Sequence, residues 1–166
     1  MKAGTLVSVE EYLSTSYDPD CDYVEGRLVE RNVGEIDHSD VQSSVIFYVR
    51  TNYKHVWAGV EVRVQVKPNR FRIPDVTIVL GPKPSGRIIT EPPALTVEIL
   101  SKDDRWGDLQ ERIDDYLSFG IPCIWVVNPL TRRGYVYTVE GAREVKDGIL
   151  RAEAAGIEVP LRELFG

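Results

Sequence analysis

Two carboxylates interrupt apolar runs in this chain, and their placement points to metal or acid–base chemistry. In Arg72-Ile73-Pro74-Asp75-Val76-Thr77-Ile78-Val79-Leu80, Asp75 follows a proline where the apolar run begins. In Leu95-Thr96-Val97-Glu98-Ile99-Leu100, Glu98 lies inside a short apolar segment. Burying a lone carboxylate is costly or forces it neutral, so each should have a partner. If the two segments are neighbouring strands, both acids approach one point. With a backbone carbonyl, that of Ile99 after Glu98, they make a hard-oxygen set suited to Mg2+ or Mn2+. A metal there would lower the pKa of a bound water and neutralise phosphate charge during in-line attack. The structural alternative has Asp75 capping a local turn and Glu98 paired with an arginine such as Arg72 or Arg112.

The elements that must position these acids read as follows. Ser8-Val9-Glu10-Glu11 is a capping box before a short helix. Gly26 to Val33 reads as a strand. Residues from about Ser39 to Tyr53 read as a helix, with Val41, Val45, Tyr48 and Val49 on one face. Val60, Val62, Val64 and Val66 alternate with Glu61, Arg63, Gln65 and Lys67, which predicts one strand with one buried face. Pro68-Asn69-Arg70 turns it around. Arg72 to Leu80 and Leu95 to Leu100 follow as strands, joined by the proline-rich loop Gly81 to Pro93. Trp106 to Phe119 reads as a helix that Gly120 stops, since glycine tolerates the left-handed residue after a helix end. Cys123 to Val127 is a continuous apolar run, expected of a strand covered on both faces. Tyr135 to Val139 is a further strand. The order predicts a mixed α/β sheet with a helix crossing between strands, in a single domain spanning 1–166.

Bulk properties narrow the classes. A hydrophobic fraction of 43% and a charged fraction of 28% are ordinary for a globular protein. No run approaches the roughly 20 apolar residues of a membrane helix. The segment Met1 to Thr15 carries Glu10 and Glu11 where a signal peptide has an apolar core. Cys21 and Cys123 are far apart and in no C-x-x-C arrangement, which predicts reduced thiols and a cytoplasmic location. The net charge of −6 argues against tight nonspecific grip on DNA by an isolated monomer, although clustered site carboxylates contribute to it.

The segments Pro74-Asp75, Val97-Glu98-Ile99-Leu100-Ser101, Asp108-Leu109-Gln110-Glu111-Arg112-Ile113-Asp114-Asp115-Tyr116, Gly120-Ile121-Pro122 and Trp125-Val126-Val127-Asn128-Pro129 together resemble the Uma-two family of bacterial proteins. That family sits in the restriction-endonuclease-like (PD-D/E-x-K) superfamily. Upstream, Asp22-Tyr23-Val24-Glu25-Gly26-Arg27-Leu28-Val29 resembles its opening acidic-tyrosine segment, and His38 a histidine that opens its second helix. The resemblance implies a mixed central sheet flanked by helices and a metal-dependent nuclease site. By it, Asp75 and Glu98 match the metal-binding pair, and Asp22 matches an early acid facing metal or water, ahead of Glu25. The superfamily's lysine two residues after the glutamate is here Leu100. The Uma-two lysine of the following helix is here Arg112. Arginine keeps the charge and can clamp a phosphate, but it cannot deprotonate to act as a base. Asn128 stands where the family commonly has aspartate.

Other candidates read as structural. Asp108 and Arg112 have the spacing of a helix-surface ion pair. His38 reads as a solvent-facing end residue and His55 as incidental. Tyr116, Phe119 and Trp125 read as core. Trp106, between charged residues, suits a cleft mouth or an oligomer contact. Lys67, Arg70 and Arg72 are the candidate phosphate contacts.

Two functions compete. One is a Mg2+-dependent DNA endonuclease with Asp75, Glu98, Arg112 and Asp22 in the site. Double-strand cutting by one domain of this size calls for a homodimer. The other is a catalytically impaired protein of the same fold that binds nucleic acid or a protein partner.

Overall fold

The computed structural model describes residues 4–32 and 34–166; Val33, the end of the first predicted strand, lies outside them. The chain runs α1 (Val9–Ser14), β1 (Cys21–Val24), β2 (Arg27–Glu30), α2 (Ile36–Asn52), β3 (Val56–Val60), β4 (Val64–Lys67), β5 (Arg70–Arg72), β6 (Val76–Leu80), β7 (Leu95–Ile99), α3 (Trp106–Phe119), β8 (Ile124–Asn128), β9 (Arg133–Thr138), β10 (Gly141–Glu144), β11 (Ile149–Ala152) and β12 (Ile157–Pro160). The principal sheet has the order β10-β9-β8-β7-β6-β3. Only β7 and β8 are parallel in it, and α3 makes the crossover that a parallel pair requires. A second antiparallel sheet has the order β2-β1-β5-β4, and β11 pairs with β12. None of the described helices is long and apolar enough to cross a membrane.

Two apolar cores lie on opposite faces of the principal sheet. Trp125 and Val127 of β8 join Val41, Val45 and Val49 of α2 in one, while Ile124 and Val126 join Leu109, Ile113 and Tyr116 of α3 in the other. This double covering is why β8 reads as an unbroken apolar run. Helix α3 has the bounds expected from its pattern, and Gly120 ends it at φ 107° with its amide donating to the Tyr116 and Leu117 carbonyls. Helix α1 is capped by Ser8, whose hydroxyl accepts the Glu11 amide at 3.1 Å.

The valine alternation from Val60 to Lys67 does not form one strand. Glu61 takes a left-handed φ of 52°, which ends β3, and β4 begins three residues later in the other sheet. Val60, which a continuous strand would bury, is 45% exposed. Arg63 accounts for the bend. Its guanidinium is drawn inward to Asp20 at 2.7 and 2.9 Å and to the carbonyls of Tyr12 and Thr15 at 2.9 and 3.1 Å. The predicted strand Arg72 to Leu80 is divided in the same way, by Ile73-Pro74-Asp75, because proline cannot donate a ladder hydrogen bond. The chain therefore passes twice between the sheets at one level, and Asp75 lies at that crossing.

A buried ion cluster ties the second sheet to α3. Arg72 of β5 donates to Asp115 from Nε at 2.7 Å, and Arg70 donates to it from Nη1 at 2.8 Å. Removing the carboxylate would take the shortest partner from two guanidinium groups in a poorly hydrated setting. Asp115→Ala should cost about 3–5 kcal/mol by urea denaturation, whereas Glu111→Ala, at a half-exposed neighbour, should cost under about 1 kcal/mol. Equal losses would place the anchor elsewhere.

Candidate active site

Asp75 and Glu98 converge because of strand register. Val76 of β6 pairs with Val97 of β7, so the next residues out, Asp75 and Glu98, are cross-strand neighbours. Val97 and Ile99 face the α2 core, which turns Glu98 toward α3. Both carboxylates are buried, at 3% and 1% exposure. Tyr116 donates its hydroxyl to Glu98 Oε1 at 2.5 Å, and Arg112 Nη2 lies 3.3 Å from Glu98 Oε2. Asp75 Oδ2 accepts the Ile99 amide at 2.7 Å. Its Oδ1 faces Arg31 Nη2 at 2.7 Å and His38 Nε2 at 3.2 Å. Gln42, one helical turn after His38, donates to the Asp75 carbonyl at 2.9 Å.

These surroundings drive the two acids apart. Burial is the largest influence on Glu98 and raises its proton affinity well above the usual carboxylate range. Arg112 opposes this and the neighbouring Asp75 adds to it. Burial also pushes Asp75 upward, but the His38 hydrogen bond, the Arg31 charge and the Ile99 amide outweigh it and hold Asp75 below the usual range. One carboxylate is thus kept ionised while the other is suited to taking up a proton, the pattern of an acid–base pair. The hydrogen bond to Asp75 raises the His38 imidazole above its ordinary value.

Asp22 is buried in the wall of an adjoining cleft of about 720 Å3, which Arg31, Arg72, Arg105, Glu111 and Arg112 also line. Asp22 accepts the Ile73 amide at 3.0 Å and lies 3.2 Å from Arg72. Arg70 and Arg72 are held by Asp115 and Asp22, so the expected phosphate-contact role finds them already paired; Lys67 stays half exposed. Arg112 pairs with Glu98, not with Asp108. Trp106 is exposed beside the Ser101–Arg105 loop. Asn128 caps a turn by accepting the Leu130 and Thr131 amides.

Sequence reasoning missed three groups. His38 was expected in solvent and is on Asp75. Tyr116 was expected as core only; it is core, but its hydroxyl reaches Glu98, and its spacing of four residues from Arg112 placed both on one helix face. Arg31 follows β2 with no periodic signal, and nothing local marks it.

The donor chemistry, two carboxylates and the Ile99 carbonyl, suits a hard divalent cation. The arrangement does not. Asp75 Oδ1 already faces the Arg31 guanidinium at 2.7 Å and His38 Nε2 at 3.2 Å, and Oδ2 accepts the Ile99 amide. Two guanidinium groups balance the two carboxylates. Among the described residues, no three carboxylate, imidazole or thiol groups are grouped to hold a metal ion.

A family model described as "Putative restriction endonuclease", Uma2, matches residues 9–161. The chain belongs to the Uma2 family. A crystal structure described as "a putative nuclease belonging to DUF820" from Anabaena variabilis superposes with a TM-score of 0.79, at 22% identity over 96% of this chain and 97% of that one. No curated protein matches the chain. The architecture of this Uma2 protein is the restriction-endonuclease-like mixed sheet flanked by helices. Its Pro74-Asp75 and Val97-Glu98 segments bring the two carboxylates together with Arg112 of α3.

The His38–Asp75 pair has a definite pH signature. A folded-state imidazole that holds its proton more tightly than the unfolded chain adds stability that is full below the unfolded value. That stability is lost as pH rises through the raised folded value. The stability deficit of His38→Gln relative to wild type, read from urea midpoints, should be larger near pH 5 than near pH 9, roughly either side of the imidazole range. A constant deficit would remove the charged pair. Tyr116→Phe should cost about 1–3 kcal/mol, because Glu98 Oε1 loses its donor.

Proposed function

We propose that this Uma2 protein is a DNA endonuclease that hydrolyses phosphodiester bonds at the Asp75–Glu98 centre. The observation that carries the reading is the convergence of the buried Asp75 and Glu98 with Arg112, which lines the adjoining cleft. Arg112 is charged at any working pH and reaches the cleft, so it suits the developing negative charge on a phosphate. It cannot take a proton. Glu98, with its raised proton affinity, suits that role toward an attacking water at Oε2. Asp75 stays ionised and fixes the Ile99 backbone behind the reacting groups. Asp22 adds a carboxylate to the cleft wall. Mg2+ or Mn2+ on Asp75, Glu98 and the Ile99 carbonyl belongs to the proposal only with Arg31 moved off Asp75. A homodimer in the cytoplasm, cutting both strands, completes this reading.

A second reading, a catalytically impaired protein of the same fold that binds nucleic acid or a protein partner, draws support from the cleft wall. Its lining holds five arginines against six carboxylates, a balance that gives a polyanion little net attraction.

Plasmid nicking with Mg2+ or Mn2+ separates the two. On the endonuclease reading wild type nicks, Glu98→Gln and Asp75→Asn lose about 10²–10⁴ in rate, and Arg112→Lys keeps activity within about tenfold. Absence of nicking by wild type and by Arg112→Lys, on supercoiled and single-stranded DNA alike, would leave the impaired reading.

A further inference from the structure

The metal that the fold leads one to expect and the cations that this chain supplies compete for the same oxygens. Arg31 Nη2 lies 2.7 Å from Asp75 Oδ1, within charge–charge range of Glu98 and Asp22, and its side chain is only 17% exposed. The residue after it, Asn32, donates to Asp104 at 2.8 Å, which ties this stretch to the loop that leads into α3. Arg112 is different. It lies 3.3 Å from Glu98 Oε2, the other carboxylate of the pair, and it is rooted in a helix. Mg2+ needs oxygen donors at about 2.1 Å in near-octahedral array. A cation placed on Asp75 Oδ1 would sit against the Arg31 guanidinium, which already holds that oxygen at 2.7 Å and repels a like charge beside it.

We propose that Arg31 is the resident cation on the Asp75 side of the Asp75–Glu98 centre, and that the centre admits a divalent metal only when Arg31 is displaced from Asp75. The inference rests on the reading of Asp75 and Glu98 as the reacting centre. It makes Arg31 the residue that limits how tightly the carboxylates can hold a metal. With Arg31 away, His38 at 3.2 Å leaves Asp75 room to turn an oxygen toward a metal.

The test is calorimetric titration of Mn2+ alone into wild type, Arg31→Gln, Arg31→Lys and the Arg31→Gln/Asp75→Asn pair. Arg31→Gln should bind Mn2+ roughly tenfold or more tighter than wild type. Arg31→Lys, which keeps the charge, should stay near wild type, and the double variant should lose the site. Equal affinity in wild type and Arg31→Gln, at a site that Asp75→Asn removes, would overturn the inference and leave the nuclease reading standing. No binding to any variant would overturn the inference together with the metal dependence of that reading. Wild type supplies a check that needs no variant to fold. Saturating it with Mg2+ should shift the Arg31 guanidinium resonances in step with binding, and saturation that leaves them unmoved would overturn the proposal.

Discussion

Holding two carboxylates side by side out of water is the constraint that the rest of this structure answers. Asp75 and Glu98 are cross-strand neighbours at the end of a sheet, each almost wholly buried. Their mutual repulsion and lost hydration would make the pair untenable alone. The protein meets this from several directions. Arg31 and His38 reach Asp75 from the approach to α2 and its first turn, Arg112 and Tyr116 reach Glu98 from α3, and the Ile99 amide closes the ring from β7. A second buried cluster, Arg70, Arg72, Asp22 and Asp115, continues the alternation of charge along the seam between the sheets.

The fold and the site depend on one break. Had the chain continued straight through Glu61 and Pro74, β3 with β4 and β5 with β6 would have made a single long hairpin. Asp75 would then have been an interior strand residue. The left-handed turn at Glu61 and the proline at 74 send the hairpin tip into a second sheet. This exposes the end of the principal sheet to α3 and to the cleft. The Glu61 amide donates to the Asp75 carbonyl at 3.3 Å, and Gln42 donates to the same oxygen, so the backbone at the crossing is satisfied on both sides.

Placing an arginine where the family resemblance expects lysine changes what the site can do. A guanidinium offers a fixed charge and a planar fork, and it never offers a neutral amine. On the proposed reading, proton transfer therefore passes to Glu98, whose burial has already raised its affinity for a proton. The same burial that makes Glu98 costly to ionise suits it to a proton-accepting role on that reading, and Asp75 stays charged beside it because His38, the Arg31 guanidinium and the Ile99 amide hold it so.

Much of the fold was legible in local pattern. The bounds of α3, its glycine stop, the doubly covered β8, the α2 face of Val41, Val45 and Val49, and the suspicion attached to Asp75 and Glu98 all follow from periodicities of two or of three to four residues. Those periods report which side of an element meets apolar surroundings, and an acid on the apolar side declares itself. The strand breaks did not, because the Val60–Lys67 alternation is locally sound and only the pull of Asp20, Tyr12 and Thr15 on Arg63 bends it. The partners of the two acids were equally hidden. Arg31 and Asp75 are 44 residues apart, and Arg72 and Asp22 are 50 apart. Ion pairing between distant elements carries no period along the chain. Which carboxylate meets which cation, and so which one keeps its charge, was decided only when the strands, α2 and α3 came together.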